Sequence, residues 1–339
     1  MSSQTVVAID LFAHGFLWAV SGRGALLASL LLAFTPFAGA AKPCPDYIEV
    51  RRPFFGDTHV HTSYSQDANW RMGNSRTTPS DAYRFARGEQ ITLPPYDDAG
   101  RSLRSLKIDR PLDFAIVTDH AEDMDMVRIC GDPSYSGFYS ASCYRNALVL
   151  AGQRWLARWL PVAAPLCSDK SGECSAATLS VWQDTINAAQ EHMDECEFTT
   201  FIGYEWSGLA RGANMHRNVI FKNDHVPSEP VSAQEVHEVE GLWLRLDSEC
   251  RDADTGCEAI TIPHNPNLSA GRMFSPLMGN GNPITPMWHS ADRGMSGWQR
   301  SISTRAILNV ISGQTLQWMN CVVLRNCPIA VFSESTSVF

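Results

Sequence analysis

The chain has 339 residues, 44% of them hydrophobic and 19% charged, which is enough apolar surface to bury a sizeable core and excludes a disordered, collagen-like or coiled-coil chain. Lys and Arg total 27 against 36 Asp and Glu, a formal net charge of −9, and such an acidic surface argues against nucleic acid as a partner. Ten Cys and ten His are more than a plain structural domain needs.

The first predicted element is a targeting segment. Ala25–Phe34 is uncharged and apolar, Arg23 precedes it, and Ala38-Gly39-Ala40 follows. A basic flank, a short apolar run and an Ala-x-Ala site predict a secretory signal peptide over residues 1–40, with no stable membrane span once it is cleaved. The expected location is therefore periplasmic or secreted. All ten Cys lie beyond this segment, where an exported chain can oxidise them. Cys130/Cys143, Cys167/Cys174, Cys250/Cys257 and Cys321/Cys327 are close pairs that could each close a short loop, and none has the spacing of a structural zinc site. Connectivity stays open at this stage.

Short apolar runs then alternate with longer helical stretches. Strands are predicted at Pro53–Val60, Leu112–Thr118, Phe198–Tyr204, Asn218–Phe221 and Ala259–Ile262, with the character of buried parallel strands. Helices are predicted at Arg145–Leu160 and Ala176–Cys196. In the second, Leu179, Trp182, Ile186, Ala189 and Met193 recur every three or four residues and predict one apolar face. Residues 121–196 hold five Cys and read as a disulfide-braced insertion on a βα scaffold.

Polar residues able to bind metal stand at the predicted strand ends. In Asp57-Thr58-His59-Val60-His61, alternation places both imidazoles on one face, with Asp57 in phase behind them. Two imidazoles so placed form a ligand pair for a divalent transition metal. Asp113–Thr118 runs into Asp119 and His120. Phe201–Tyr204 runs into Glu205, an acid that is costly to bury unless paired or metal-bound. Ile260–Pro263 leads to His264, and His216 precedes the Asn218–Phe221 strand. Each feature alone is explained by a helix cap, a solvated acid or a loop histidine. Together they repeat one arrangement, a strand followed by a metal ligand. His192, His225, His237 and His289 follow no strand and are read as surface residues.

The order Asp-x-His-x-His-Thr, Asp-Phe-x-x-x-Thr-Asp-His, Gly-x-Glu and Pro-His-Asn resembles the polymerase-and-histidinol-phosphatase (PHP) superfamily. The phrases Gly56–Ser65, Gly203–Ser207, His216–Phe221 and Ile262–Met273 resemble a largely uncharacterised, often exported branch of it. The resemblance implies an α/β fold, a distorted (β/α)7 TIM-like barrel occupying residues 41–293, with two or three divalent ions (Zn, Mn or Fe) at the C-terminal strand ends. It implies His59, His61, His120, Glu205 and His264 as metal ligands, with Glu205 as the bridge and His216 as a weaker candidate. Asp67 stands where relatives place another imidazole. Asp57 and Asp119 would orient ligand histidines, and Arg217 could hold a phosphate oxygen. The implied function is metal-dependent hydrolysis of a small-molecule phosphate ester by activated water. The alternatives are an amidohydrolase-type enzyme, which also opens with His-x-His but often uses a mid-chain Lys, and an exported protein that binds metal without turnover.

The resemblance breaks at the end of the chain. The late Asp-x-His that completes PHP metal sites is absent after His264, so the barrel is expected to be incomplete at its C-terminus. Residues 294–339 contain one acid, Glu334, and no strand–ligand unit. Arg300–Val310 can be back-translated so that a shifted frame spells Val-Tyr-Gln-His-Lys-Gly-Asn-Ser-Glu-Cys, which resembles a segment of the exported branch. A frameshift between about Pro286 and Arg300, making the chain a fragment, is therefore expected. Reading the gene in all forward frames tests it.

Overall fold

The structure is a computed structural model that describes residues 53–71, 73–150, 172–251, 255–263 and 268–275, with short pieces at 44–45, 166–167, 277–279 and 281–283 and the single residue 156. The predicted signal segment, His264, His289, Cys321, Cys327 and the tail lie outside the described residues.

Two three-stranded sheets carry the functional strand ends. In the first, β1 (Gly56–Val60) pairs in parallel with β4 (Phe114–Val117), which pairs in parallel with β5 (Thr199–Thr200). The four residues of β4 are all buried, as a central strand covered on both faces requires. In the second, β9 (Arg217–Phe221) lies between β6 (Gly203–Trp206) and β10 (Ala259–Pro263) and is antiparallel to both. Two hairpins make up the other described strands: β2 (Ile91–Tyr96) with β3 (Ser102–Leu106), and β7 (Leu209–Ala210) with β8 (Ala213–Asn214).

This topology corrects the expected (β/α)7 barrel. The described strands form small separate sheets of mixed direction, and no closed barrel exists among them. The reason is partly local. Only residues 207–216 separate β6 from β9, and the tight β7–β8 hairpin occupies most of them. A parallel crossover needs about a dozen or more residues, so the chain can only turn back. The predicted strand Phe198–Tyr204 is likewise two strands, which serve different sheets. At the change of partner stands Gly203, where a Cβ would lie 2.8 Å from the Val219 carbonyl. Only glycine lets β6 approach β9 this closely.

Among the described residues, five helices pack around the strands: α1 (Pro79–Ala86), α2 (Met124–Gly131), α3 (Ala141–Leu150), α4 (Glu173–His192) and α5 (Val239–Leu246). Helix α1 begins in a capping box, with Thr78 and Asp81 satisfying each other's backbone amides. The main core joins Val60, Val117, Trp182, Tyr204, Trp206, Phe221 and Leu242. The buried stripe of α4 differs from the expected one. Leu179 and Met193 are exposed, and Met193 lies past the helix end. Trp182 and Ala189 are buried as expected, but Ala177, Thr178, Val181, Thr185 and Ala188 fill the rest.

Disulfides Cys130–Cys143 and Cys167–Cys174 brace the segment around α2, α3 and the start of α4, beside a satellite cluster of Ile129 and Ala177. Cys250–Cys257 closes a loop before β10. All eight described cysteines are in disulfides, as in proteins of oxidising compartments. No helix among the described residues is long and apolar enough to cross a membrane.

Candidate metal centre

The C-terminal ends of β1, β4 and β6 meet at one place. The parallel direction of β1 and β4 brings both strand exits to the same edge. A parallel bridge between His120 and Glu205, with the Glu205 amide donating to the Asp119 carbonyl at 3.0 Å, brings β6 to that edge too. The β6–β9 register pairs Glu205 with Asn218 and Trp206 with Arg217. Directly paired residues share a face and successive ones alternate. Glu205 and Asn218 therefore face β1, where the Asn218 Nδ2 donates to the Thr58 carbonyl at 2.8 Å.

Glu205 is the centre of the cluster. Its Oε2 lies 3.0 Å from His59 Nε2 and 3.1 Å from His61 Nε2, and these two nitrogens are 2.9 Å apart. Its Oε1 lies 2.6 Å from His216 Nδ1 and 3.7 Å from His120 Nδ1. Asp67 Oδ2 is 3.5 Å from His120 Nε2 and 3.9 Å from His61 Nε2. The His61 and His120 rings stack at 4.7 Å. Three overlapping sets result: His59, His61 and Glu205; His61, Asp67 and His120; and His120, Glu205 and His216. In each set, one donor atom per residue lies within 4.8 Å of the others. Glu205, at 1% side-chain exposure, forms the floor, while His59 at 21% and Asp67 at 29% mark the open side.

The electrostatics favour positive charge here. Burial pushes the Glu205 carboxyl up, but the charge of His120 and the bonds from His216, His59 and His61 outweigh it and hold the group well below its ordinary range. Burial pulls His120 down, yet Glu205 and Asp67 together raise it to about 10. Burial also pushes Asp67 up, but His120 and His61 prevail and keep it low. Nearby Asp123 is raised to about 7, chiefly by burial, against the pull of His120.

The donor set fits a divalent ion. Metal–nitrogen and metal–oxygen bonds of about 2.1 Å separate neighbouring donors by about 3.0 Å in an octahedron and about 3.4 Å in a tetrahedron. The triangle of His59, His61 and Glu205 has edges of 2.9, 3.0 and 3.1 Å, the octahedral spacing. Glu205 Oε1 is fully buried, with His216 Nδ1 2.6 Å and His120 Nδ1 3.7 Å from it. A cation would find an oxygen donor there.

Other predicted site residues play different parts. Asp57 accepts the His59 amide at 2.9 Å and so fixes the backbone of that ligand. Asp119 is fully buried and accepts both the amide and the hydroxyl of Thr62 at 2.7 Å. It therefore holds the loop leaving β1. Arg217 lies on the sheet face opposite Glu205, because it pairs with Trp206. It is buried, donates to the Met215 carbonyl at 2.7 Å and lies 5.7 Å from the Trp243 ring, and burial lowers it to about 10. The strand period of two thus turns Arg217 toward the face opposite Glu205. His192 is half-buried against Ser80, not a surface group.

Sequence reasoning passed over three supporting residues. Ser65 Oγ is 2.9 Å from His61 Nδ1 and accepts the His120 amide at 2.9 Å. Ser207 Oγ meets His120 Nδ1. Glu122 accepts the amides of Ser207 and Ala233, tying the β6 exit to a neighbouring loop. The signal lay in spacing: Ser65 is four residues past His61, and Ser207 two past Glu205.

The family profile described as "Protein of unknown function (DUF3604)" matches residues 49–293, well over half the chain. The chain belongs to this family. The matched DUF3604 region contains every residue of the cluster, and residues 294–339 lie beyond it. No curated protein and no solved structure matches the chain.

Proposed function

We propose that this DUF3604 protein is an exported, metal-dependent hydrolase of phosphate esters, holding two or three divalent ions in the cluster around Glu205. The observation that carries the reading is the convergence of four imidazoles and two carboxylates from distant parts of the chain on donor spacings that suit metal coordination. Mixed imidazole and carboxylate donors suit zinc, iron or manganese. Bound ions would supply Lewis acidity toward a phosphoryl oxygen and bring the pKa of a water near neutrality.

The chain's own residues set the stage for that chemistry. Glu205 supplies buried negative charge shared among His59, His61, His120 and His216. His59 and Asp67 stand on the exposed side, where an ester would enter. Asp57, Ser65 and Ser207 fix ligand backbone or rings. The disulfides and the predicted leader support a periplasmic or extracellular site of action.

The test is metal analysis of the purified full chain, followed by turnover of phosphomonoesters and diesters with zinc, manganese or iron. At least two ions per chain and chelator-sensitive ester cleavage are expected. Absence of stoichiometric metal would refute the proposal. Metal without turnover would assign a binding role, and cleavage confined to amides or carboxylic esters an amidohydrolase-type role.

A further inference from the structure

The register between β6 and β9 does not end at Trp206 and Arg217. Continued outward, it sets Ser207 opposite His216 and Gly208 opposite Met215, and the Met215 amide donates to the Gly208 carbonyl at 2.9 Å. The next pair, Leu209 with Asn214, is the one that joins β7 to β8. The two pairs of strands are therefore arms of one long hairpin in a single register. It turns at Arg211 and Gly212, whose φ values of 50° and 77° are those a tight hairpin turn requires.

Alternation then sorts the hairpin into two faces. Trp206, Gly208 and Ala210 share one with Ala213, Met215 and Arg217. This is the core face: Trp206, Ala213, Met215 and Arg217 are buried, and a Cβ on Gly208 would run into the Trp206 ring. The other face carries Glu205, Ser207 and His216, and it is the face of the cluster: His216 Nδ1 lies 2.6 Å from Glu205, and Ser207 Oγ meets His120 Nδ1. Leu209 and Asn214 continue that face outward, and two residues of strand place Leu209 about 7 Å beyond Ser207. Leu209 is 62% exposed. A lone exposed leucine is ordinary; what sets this one apart is that the other side chains of its face hold the cluster. A second exposed leucine, Leu268, adjoins the hairpin. Its backbone has φ 62°, which bulky residues rarely adopt, and the Asn214 amide donates to its carbonyl at 3.0 Å.

We propose that Leu209 is a specificity-determining residue, an apolar ledge outside the cluster that contacts the alcohol part of the substrate, so that the substrate class is phosphate esters of apolar alcohols. The inference rests on the proposed function for its reaction and adds which alcohol is chosen. Position decides the occupant. The phosphoryl group belongs among the donors around Glu205, and the part of the ester that reaches outward from there along the hairpin is the alcohol. Covering Leu209 with carbon takes apolar surface out of water, whereas a hydroxylated alcohol keeps its own hydration and gains little from the contact.

The experiment measures, by calorimetry on the zinc-loaded full chain, the binding of methylphosphonate and hexylphosphonate, which mimic the ester and cannot be hydrolysed as one. Turnover of hexyl phosphate is compared with that of glycerol phosphate on the same sample. Hexylphosphonate is expected to bind about 10-fold more tightly than methylphosphonate, with a similar ratio of kcat/KM for hexyl over glycerol phosphate. Leu209→Ser is expected to erase most of this preference, the loss falling on the hexyl and not the methyl compound, and Leu209→Met to retain it. Equal affinity for the two phosphonates, or a preference that survives Leu209→Ser, would overturn the inference and leave the metal reading standing. Binding of neither phosphonate would overturn it too, and the zinc content of the sample then decides whether the metal reading falls with it. A phosphonate preference that Leu209→Ser erases, without turnover of either ester, would uphold the ledge and refute the hydrolase.

Discussion

Replacing Glu205 with Gln tests how the cluster is balanced when no metal is bound. The substitution keeps the size of the side chain and removes the charge that His59, His61, His120 and His216 surround. With Glu205 at 1% and His120 at 13% side-chain exposure, this is a buried pair, and breaking it costs about 3–5 kcal/mol against about 0–1 kcal/mol for an exposed one. The pH dependence follows from the shifts. His120 is raised from 6.5 to about 10 in the folded chain, so its stabilising effect is complete below the unfolded value and fades as pH climbs toward 10. Glu205 is depressed, so its contribution is complete only above its unfolded value of 4.5 and is lost as pH falls through the folded value. The wild type should therefore exceed Glu205→Gln most between about pH 5 and 6.5, with the gap closing toward pH 10. Urea unfolding of chelator-treated protein at pH 6, 8 and 10 measures it. A gap below about 1 kcal/mol at pH 6, or one that is constant to pH 10, would refute the reasoning.

Four further outcomes follow from the same geometry. His59→Ala and His61→Ala should each lower metal content, because both belong to the triangle with Glu205, and elemental analysis of the purified variants reads this directly. Arg217→Met should leave metal content and KM for any ester substrate within about twofold while costing about 1–3 kcal/mol through the orphaned Met215 carbonyl. A large rise in KM would return Arg217 to the substrate. Gly203→Ala should destabilise by about 1–3 kcal/mol and disturb metal binding at Glu205, since the new methyl meets the Val219 carbonyl and Ile116; thermal unfolding and metal titration check both. Removing the Cys130–Cys143 bridge, which spans 13 residues, should cost about 3 kcal/mol in denaturant unfolding on the chain-entropy estimate.

The sequence revealed the local features better than the way they join. The period of two places His59 and His61 together, and both imidazoles do meet one carboxylate oxygen. The hydrophobic runs mark β1, β4, β9 and β10 to within a few residues. Strand direction was not legible, because an apolar run looks the same in a parallel or an antiparallel sheet. What decides it is the length of the connection, and the ten residues between Trp206 and Arg217 hold a hairpin where a crossover was expected. The same period of two that paired the histidines also put Arg217 on the face opposite Glu205, a deduction that needed the register against β6. Asp67 and Ser65 could not be ranked from sequence, since their place depends on how the loop after β1 folds back toward His120. The face of α4 was misread because the hydrophobic pattern weights Leu179 and Met193 above the small residues that packing selects.

Crystals of the full chain grown with zinc or manganese, measured at the absorption edge of the metal, would locate the ions without reference to activity. The account predicts an anomalous peak about 2.1 Å from His59 Nε2, His61 Nε2 and a Glu205 oxygen, with a second near His120. Loaded crystals with no peak among these side chains, or with metal only at distant surface groups, would contradict it.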